Sequence, residues 1–316
     1  MLCFDKLKLV ISTKYVKGFD KSKFQEVSLN EKTQYYKYEQ KMPYHLKIRI
    51  DYEKNELVID FTSKILGLGF INLINEDTIY ECMYAIPFVE FEDDVEFLFD
   101  KFEVLKCDVT QDVSYGYNIK RLERYVTSNL KNYDKWKCEN HRNGFVLKNV
   151  VTTPRYKKRL VIYNKGNELK LEKNRAFVNN VGDFDDGSFI EEYFRYKVRF
   201  ELNINSKTQI RQLLGIQDNK LMSVLSSNAN PILTVLNEAL KEIPTDTRHI
   251  CNIKDYLKEL VFKDCDYSLG KVESKLKSLY AKGNVKAAVM ESYRNYYYRC
   301  LQDKSDPAFD LRKLVE

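Results

Sequence analysis

The stretch Arg155-Tyr-Lys-Lys-Arg-Leu-Val-Ile-Tyr163-Asn-Lys-Gly-Asn-Glu168 predicts the most about how this chain folds. From Lys158 to Tyr163 the side chains alternate between two faces, a period of two that is typical of a half-buried strand. One face carries Leu160 and Ile162, and the other carries Arg159, Val161 and Tyr163. Gly166 then predicts a turn, which places Tyr163 at the end of the strand beside Lys165. A phenol flanked by cations can attack a phosphodiester, but a tyrosine packed at the rim of a sheet gives the same pattern.

Three short motifs carry a resemblance to a known family. The segment Ile162-Tyr163-Asn-Lys-Gly-Asn-Glu168 is similar to the Ile-Tyr-(Asn/Asp)-Lys-x-x-Glu segment of rolling-circle replication initiators of the staphylococcal plasmid type, and of the related gene II nickases of filamentous phages. Upstream, Lys106-Cys-Asp108-Val-Thr-Gln-Asp112 resembles the family's Arg-x-Asp-x-x-x-Asp strand, with lysine in place of arginine. Downstream, Arg199-Phe-Glu201 resembles its Arg-x-Glu strand. The motifs follow one another in the family's order.

The resemblance implies a nickase in which Tyr163 cleaves one strand at a replication origin and stays joined to the 5′ phosphate. It implies an antiparallel-sheet domain that is HUH-like without the pair of histidines, since the chain's three histidines are single and far apart. The catalytic residues would be Tyr163 and Lys165. Four cations are predicted to hold DNA phosphates: Arg155, Lys157, Arg159 and Arg199.

The same resemblance implies a metal site made of acids. The cofactor would be Mg²⁺ or Mn²⁺, hard cations that prefer oxygen ligands, and its ligands would come from Asp108, Asp112 and Glu201. A straight strand rises roughly 3.3 Å per residue, so Asp108 and Asp112 would lie about 13 Å apart. We therefore expect one of them to be a direct ligand, with Asp108 favoured. Capping or surface roles for either acid stay open, as does a supporting metal role for Asp60.

The distribution of patterns predicts an α+β chain of two parts. Residues 1–205 are sheet-rich, with a hairpin over 45–51 and 56–62, and residues 206–316 are helical. A helix is expected over 119–132, a loop over 178–188 and a strand pattern over 191–204. Six C-terminal helices are predicted over 207–214, 221–226, 231–243, 253–262, 268–281 and 285–302.

Composition sets broad limits. The net charge of +6 permits nucleic-acid binding without requiring it. The basic run at 155–159 and the acidic run at 183–192 fit a DNA groove or solvated surface equally well. No apolar run approaches the roughly 20 residues of a membrane span, and the start lacks a signal-peptide core. The seven cysteines are scattered along the sequence, which indicates reduced thiols. These features predict a cytoplasmic protein without membrane partners, and the family resemblance implies a bacterial host cell.

The implied partners are single-stranded or cruciform origin DNA, the host helicase and polymerase, and a second copy of the chain in a homodimer. A phage or a plasmid origin fits equally. The rival interpretation is a non-catalytic DNA-binding replication or partition factor, and a third is a conjugative relaxase or transposase-like nickase. The aromatic and basic run Tyr293–Arg299 can stack on nucleic acid or pack its tyrosines inside the fold.

Overall fold

The computed structural model describes residues 2–29, 32–115, 119–132, 134–141, 143–151, 153, 156–181, 184–241, 252–265, 268–279, 286–305 and 311–316. Its strands are β1 (Phe4–Ser12), β2 (Val16–Phe19), β3 (Gln25–Leu29), β4 (Lys32–Gln40), β5 (Leu46–Asp51), β6 (Glu56–Thr62), β7 (Val89–Phe91), β8 (Glu103–Ser114), β9 (Trp136–His141), β10 (Gly144–Asn149), β11 (Arg159–Asn164) and β12 (Lys197–Ile204).

The helices between and after the strands are α1 (Ile79–Tyr84), α2 (Ile119–Ser128), α3 (Lys165–Leu169), α4 (Glu172–Asn180), α5 (Phe184–Phe194), α6 (Lys207–Leu214), α7 (Leu221–Leu225), α8 (Pro231–Ala239), α9 (Ile253–Asp264), α10 (Leu269–Leu279) and α11 (Ala287–Ser305). Two longer 3₁₀ segments cover Ser63–Asn72 and Val95–Lys101. The mixture of a large antiparallel sheet and helices makes the chain α+β, as the sequence predicts.

Ten of the strands form one antiparallel sheet in the order β3-β4-β5-β6-β1-β8-β12-β11-β10-β9. The alternation of side chains gives this sheet one apolar face, because residues opposite each other on neighbouring strands point the same way. One row across four strands shows it: Val109, Leu202, Leu160 and Leu147 are in register and at most 2% exposed. The opposite face carries the charged residues of β8, β11 and β12.

The two predicted strands of the early hairpin are confirmed as β5 and β6, which pair from Leu46↔Phe61 to Asp51↔Glu56. The loop predicted over 178–188 is wrong, because α4 ends at Asn180 and α5 begins at Phe184. The strand pattern from 191 is also wrong as far as Phe194, where α5 ends. Tertiary packing explains both errors: the chain buries Phe177 of α4 and Ile190 and Phe194 of α5 in one apolar cluster with Phe70.

The structure divides into two compact units, residues 1–241 with 312–316, and residues 242–311. The boundary predicted at 205 therefore falls inside the first unit. The physical reason is that α6, α7 and α8 pack on β8 and β12 and bury apolar side chains there. The last residues return to this unit, where Arg312 donates to the carbonyls of Leu240 and Lys241 at 2.9 Å each.

The second unit contains α9, α10 and α11. Its core includes Phe262, Val272, Leu276 and Tyr296, and Tyr296 donates a hydrogen bond to Glu259 at 2.6 Å. Tyr293 and Tyr297 also pack against this core, whereas Tyr298 is 55% exposed. Most tyrosines of the 293–299 run therefore pack inside the unit, which was one of the two sequence interpretations.

Candidate functional site

Tyr163 lies near the end of β11, on the polar face of the sheet. Its register neighbours are Gly144 on β10 and Arg199 on β12. A Cβ at Gly144 would lie 2.6 Å from the Cα of Tyr163, so a side chain at this position would push β10 away from the tyrosine. The strand ends at Asn164, whose Oδ1 accepts from the backbone N–H of Asn167 and caps α3. The sequence expectation of a strand that delivers Tyr163 and then stops is confirmed, whereas the turn predicted at Gly166 is wrong, because Gly166 lies inside α3.

The phenol of Tyr163 is held by a carboxylate. Its Oη donates to Oε2 of Glu201 at 3.0 Å, and the residue is 8% exposed. Burial, and then the negative charge of Glu201, raise the pKa of Tyr163 well above its usual value, while the charge of Arg199 opposes the rise. Burial and repulsion from Asp5 also raise the pKa of Glu201. A carboxylate with a raised pKa is a stronger proton acceptor than an exposed one.

A second carboxylate lies next to Glu201. The side-chain Nδ2 of Asn203 donates to Oδ1 of Asp108 at 2.8 Å and to Oε1 of Glu201 at 3.2 Å. These two bonds hold the accepting oxygens within about 6 Å of each other. Arg159 fixes the orientation of the Asn203 amide by donating to Oδ1 of Asn203 at 2.6 Å. Burial, followed by repulsion from Glu201, raises the pKa of Asp108 to about 7.

Asp112 has a different partner from the one predicted. Its two oxygens accept from Nε and Nη2 of Arg199 at 2.7 and 2.6 Å, and Arg199 also donates to Asp5 at 2.7 Å. The guanidinium is 0% exposed and lies 5.5 Å from the ring centres of Phe70 and Phe194. Arg199 was predicted to hold a flanking DNA phosphate, but this burial leaves its guanidinium no surface to offer one.

Asp5 is the site residue that the sequence analysis missed. Burial alone would raise its pKa, but the charges of Arg199 and Lys165 and a hydrogen bond from Ser63 outweigh that effect and lower the pKa to about 2. The pairing of β1 with β8 shifts register between Phe4 and Lys6, so Asp5 sits at an irregularity of the strand. Such bulges redirect a side chain, and the sequence pattern contains no signal for this one.

Lys165 belongs to a neighbouring buried network. It is 3% exposed, donates to Glu168 at 3.1 Å, and its Nζ lies 5.7 Å from the ring centre of Tyr163. Asn174 donates to the other oxygen of Glu168 at 2.6 Å and accepts from Lys64 at 2.7 Å. Burial opposes ionisation of Glu168, but the charges of Lys165 and Lys64 and the hydrogen bonds from Asn174 and Lys165 together outweigh it, and the pKa falls to about 2.

The predicted DNA-binding cations lie in different surroundings. Arg155 lies outside the described residues. Lys157 is exposed just before β11, while Arg159 is half-buried on Asn203. The structure thus brings Tyr163, Glu201 and Asp108 together and leaves Lys157 at the surface.

Within the described ranges, no three His, Cys, Asp or Glu side chains are grouped closely enough to hold a metal ion. The pair Asp108 and Glu201 nevertheless suits a hard cation, because both carboxylates have raised pKa values that a positive charge would relieve. Asp112 does not suit it, since Arg199 already takes both of its oxygens. Asp60 accepts from His45 and Lys6 at 3.0 Å each.

No protein-family model matches this chain, and the search of curated proteins gives no match. None of the helices in the described part of the chain combines the length and the apolar character that crossing a bilayer requires. Five cysteines are free thiols: Cys3, Cys82, Cys107, Cys138 and Cys265.

Proposed function

We propose that this chain is a rolling-circle DNA replication initiator, an HUH-like nickase without the histidine pair that opens one strand through a covalent link to Tyr163. The observation that supports it most directly is the contact of the Tyr163 phenol with Glu201, which itself shares Asn203 with Asp108. A nucleophile, a proton acceptor and a second acid are thus connected by hydrogen bonds across β11, β12 and β8. The three motifs that carry the family resemblance supply these residues.

The proposed step transfers a phosphodiester to the tyrosine. Glu201 takes the phenol proton, the bond between Tyr163 Oη and phosphorus forms, and the bond from phosphorus to the 3′ oxygen breaks. The departing 3′ oxygen takes a proton from water and can prime a polymerase. Arg199 and Lys165 provide the fixed positive charge that favours a phenolate.

Asp108 and Glu201 would hold the divalent ion, Mg²⁺ or Mn²⁺. Such an ion neutralises the charge that builds up on phosphate oxygens during the transfer. Both carboxylates must be deprotonated when the DNA binds, before Glu201 takes the phenol proton, and Asn203 orients both of them. The DNA would be a single-stranded or extruded origin, and host helicase and polymerase would continue the replication.

One observation favours the rival function, a DNA-binding protein without catalysis. Tyr163 is only 8% exposed and its pKa is raised well above the usual value, as for a tyrosine that is part of the core. Under this alternative the polar network stabilises the sheet, and DNA binding would depend on salt but not on a divalent ion.

A cleavage assay separates the two functions. Labelled single-stranded DNA of mixed sequence is incubated with the protein in Mn²⁺ or in EDTA, and protein–DNA adducts are resolved on a denaturing gel. We expect a Mn²⁺-dependent adduct that disappears in Tyr163→Phe and persists in the matched control Tyr156→Phe, which changes an exposed tyrosine just before β11. An adduct that survives Tyr163→Phe contradicts the assignment of the nucleophile. Salt-sensitive binding without any adduct on origin-containing DNA supports the rival.

A further inference from the structure

A pocket of about 250 Å³ opens on the polar face of the sheet where β6, β1, β8 and β12 lie side by side. Two chemically different groups line it. One is acidic and includes Asp108 with its partner Asn203, and the other consists of three lysines, Lys6, Lys8 and Lys106. The acidic site described above therefore continues directly into a basic pocket.

The lysines face one another because of strand register. Lys6 is opposite Asp108, and Lys8 is opposite Lys106 on the neighbouring strand. Like charges directly opposite each other in an antiparallel pair destabilise the folded state. A basic pair in this position therefore calls for a compensating charge.

The protein compensates only part of this positive charge. Asp60 accepts from Lys6, and the same oxygen accepts from His45, each at 3.0 Å. Among the residues that the structure describes, Lys8 and Lys106 form neither a hydrogen bond nor an ion pair through their side chains. Lys8 is half-buried, and its pKa is lowered first by that burial and further by the nearby charges of Lys106, Arg49 and Lys6, against the attraction of Asp60.

Lys106 is exposed, so its ammonium is free to turn toward water or toward a ligand. Lys8 is half-buried, with Asp60 opposite it on β6 and Lys106 opposite it on β8, at a pocket where one anion would contact both lysines. A phosphate group has the charge and the acceptor oxygens for this contact.

The position of the pocket relative to Tyr163 indicates which phosphate would occupy it. Glu201, which accepts from Tyr163, is in register with Thr110 on β8, and Lys106 lies four residues further along the same strand. That separation is about 13 Å at the rise of a strand. A single nucleic-acid strand that runs along β8 would place one phosphate at Tyr163 and a later one at the lysines.

We propose that Lys8 and Lys106 form a phosphate subsite that binds the backbone of the DNA strand at a linkage away from the one that is cut. The inference rests on the proposed nickase function for its substrate class. It adds a positioning role for Lys8, which lies outside all three motifs of the family resemblance, and for Lys106, which stands where the family's acidic strand has arginine.

Lysine footprinting and binding test the subsite without relying on catalysis. Short single-stranded oligonucleotides of mixed sequence are added to the full chain, and the lysines are labelled briefly with acetic anhydride. We expect the DNA to protect Lys8 and Lys106 but not Lys17, whose side chain is 61% exposed on β2, outside the ten-stranded sheet. Inorganic phosphate at equal concentration should protect far less if the ligand is a DNA strand, and equal protection would assign the pocket to free phosphate instead.

Binding of the same oligonucleotides is then measured by fluorescence anisotropy at several salt concentrations. Lys8→Gln and Lys106→Gln should each weaken binding, and each should reduce the slope of log K against log salt by about 0.7. Lys17→Gln should leave both quantities unchanged. The same slope in Lys8→Gln and Lys106→Gln as in the wild-type chain would overturn the inference.

The results keep the two proposals apart. Protection of Lys8 and Lys106 without any Tyr163 adduct would retain the subsite and reject the nickase. A normal adduct yield, with a normal KM for DNA, in Lys8→Gln and Lys106→Gln would retain the nickase and reject the subsite.

Discussion

Replacing Asp108 by asparagine should make the protein more stable at alkaline pH, because this carboxylate is held in surroundings that disfavour its charge. Burial and the nearby Glu201 raise its pKa from 3.8 to about 7. The shift is about three units at 1.36 kcal/mol each, which gives about 4 kcal/mol. A group whose pKa is raised in the folded state contributes stability below its unfolded pKa and loses it as pH rises through the folded value. The free energy of unfolding of the wild-type chain therefore falls by about 4 kcal/mol as the pH rises from 4 to 7.

Asparagine resembles the protonated acid and can still accept from Asn203. We therefore expect Asp108→Asn to increase the free energy of unfolding by up to about 4 kcal/mol at pH 8 and to leave it almost unchanged near pH 4. The assay is urea unfolding in EDTA, followed by tryptophan fluorescence. Trp136, the chain's single tryptophan, lies on β9 of the first unit and is 6% exposed.

Asp60→Asn is the matched control, since Asp60 lines the same pocket. Burial tends to raise the pKa of Asp60, but hydrogen bonds from His45 and Lys6 outweigh it and lower the pKa. This carboxylate stabilises the fold above its unfolded pKa, so its substitution should destabilise at pH 8. Adding Mn²⁺ should stabilise the wild-type chain by mass action and should affect Asp108→Asn much less. A loss of stability in Asp108→Asn at pH 8, or a difference that does not depend on pH, would refute the reasoning.

Three further outcomes are expected. Arg199→Met leaves Asp5 and Asp112 without their counter-ion and should lower the free energy of unfolding by about 3–5 kcal/mol. The control Arg195→Met, at an exposed position, should change it by under about 0.5 kcal/mol. Equal shifts of the urea midpoint in the two variants would contradict the buried network. Gly144→Ala brings a methyl group within 2.6 Å of the Tyr163 Cα and should cost about 1–3 kcal/mol, measured in the same unfolding assay; a neutral result would show that β10 is free to move. The yield of adduct should rise with pH up to about 7 as Asp108 loses its proton; a yield that falls over this range in gel assays would remove that carboxylate from the site.

The sequence predicted those parts of the fold that depend on local periodicity. The hairpin of β5 and β6 alternates between apolar and polar residues except at Val58. The limits of α6 are as predicted, because Ser206 caps it and Gly215 ends it in the left-handed region. The pairing order of the ten strands depends on contacts between distant segments, so a local pattern cannot supply it. The helix α5 was missed for the same reason: its Asp-Asp-Gly-Ser start favours a loop, and burial of Ile190 and Phe194 decides otherwise.

The candidate site was predictable in part. Tyr163, Glu201 and Asp108 were named from motifs, and the structure places them in one hydrogen-bonded series. The burial of Arg199 could not be predicted, since it depends on Phe70 and Phe194, which approach from other parts of the chain. Asn203 carried no motif, although its place two residues after Glu201 on the same strand face offered a weak signal.

The most direct test of the central claim is to identify the residue that carries DNA after cleavage. The adduct formed in Mn²⁺ is digested with trypsin and nuclease, and the modified peptide is identified by mass spectrometry. We predict that the nucleotide is found on the peptide Leu160–Lys165, whose single tyrosine is Tyr163. A nucleotide on a peptide that contains Tyr156, Tyr193 or Tyr196 instead would contradict the assignment of Tyr163 as the nucleophile.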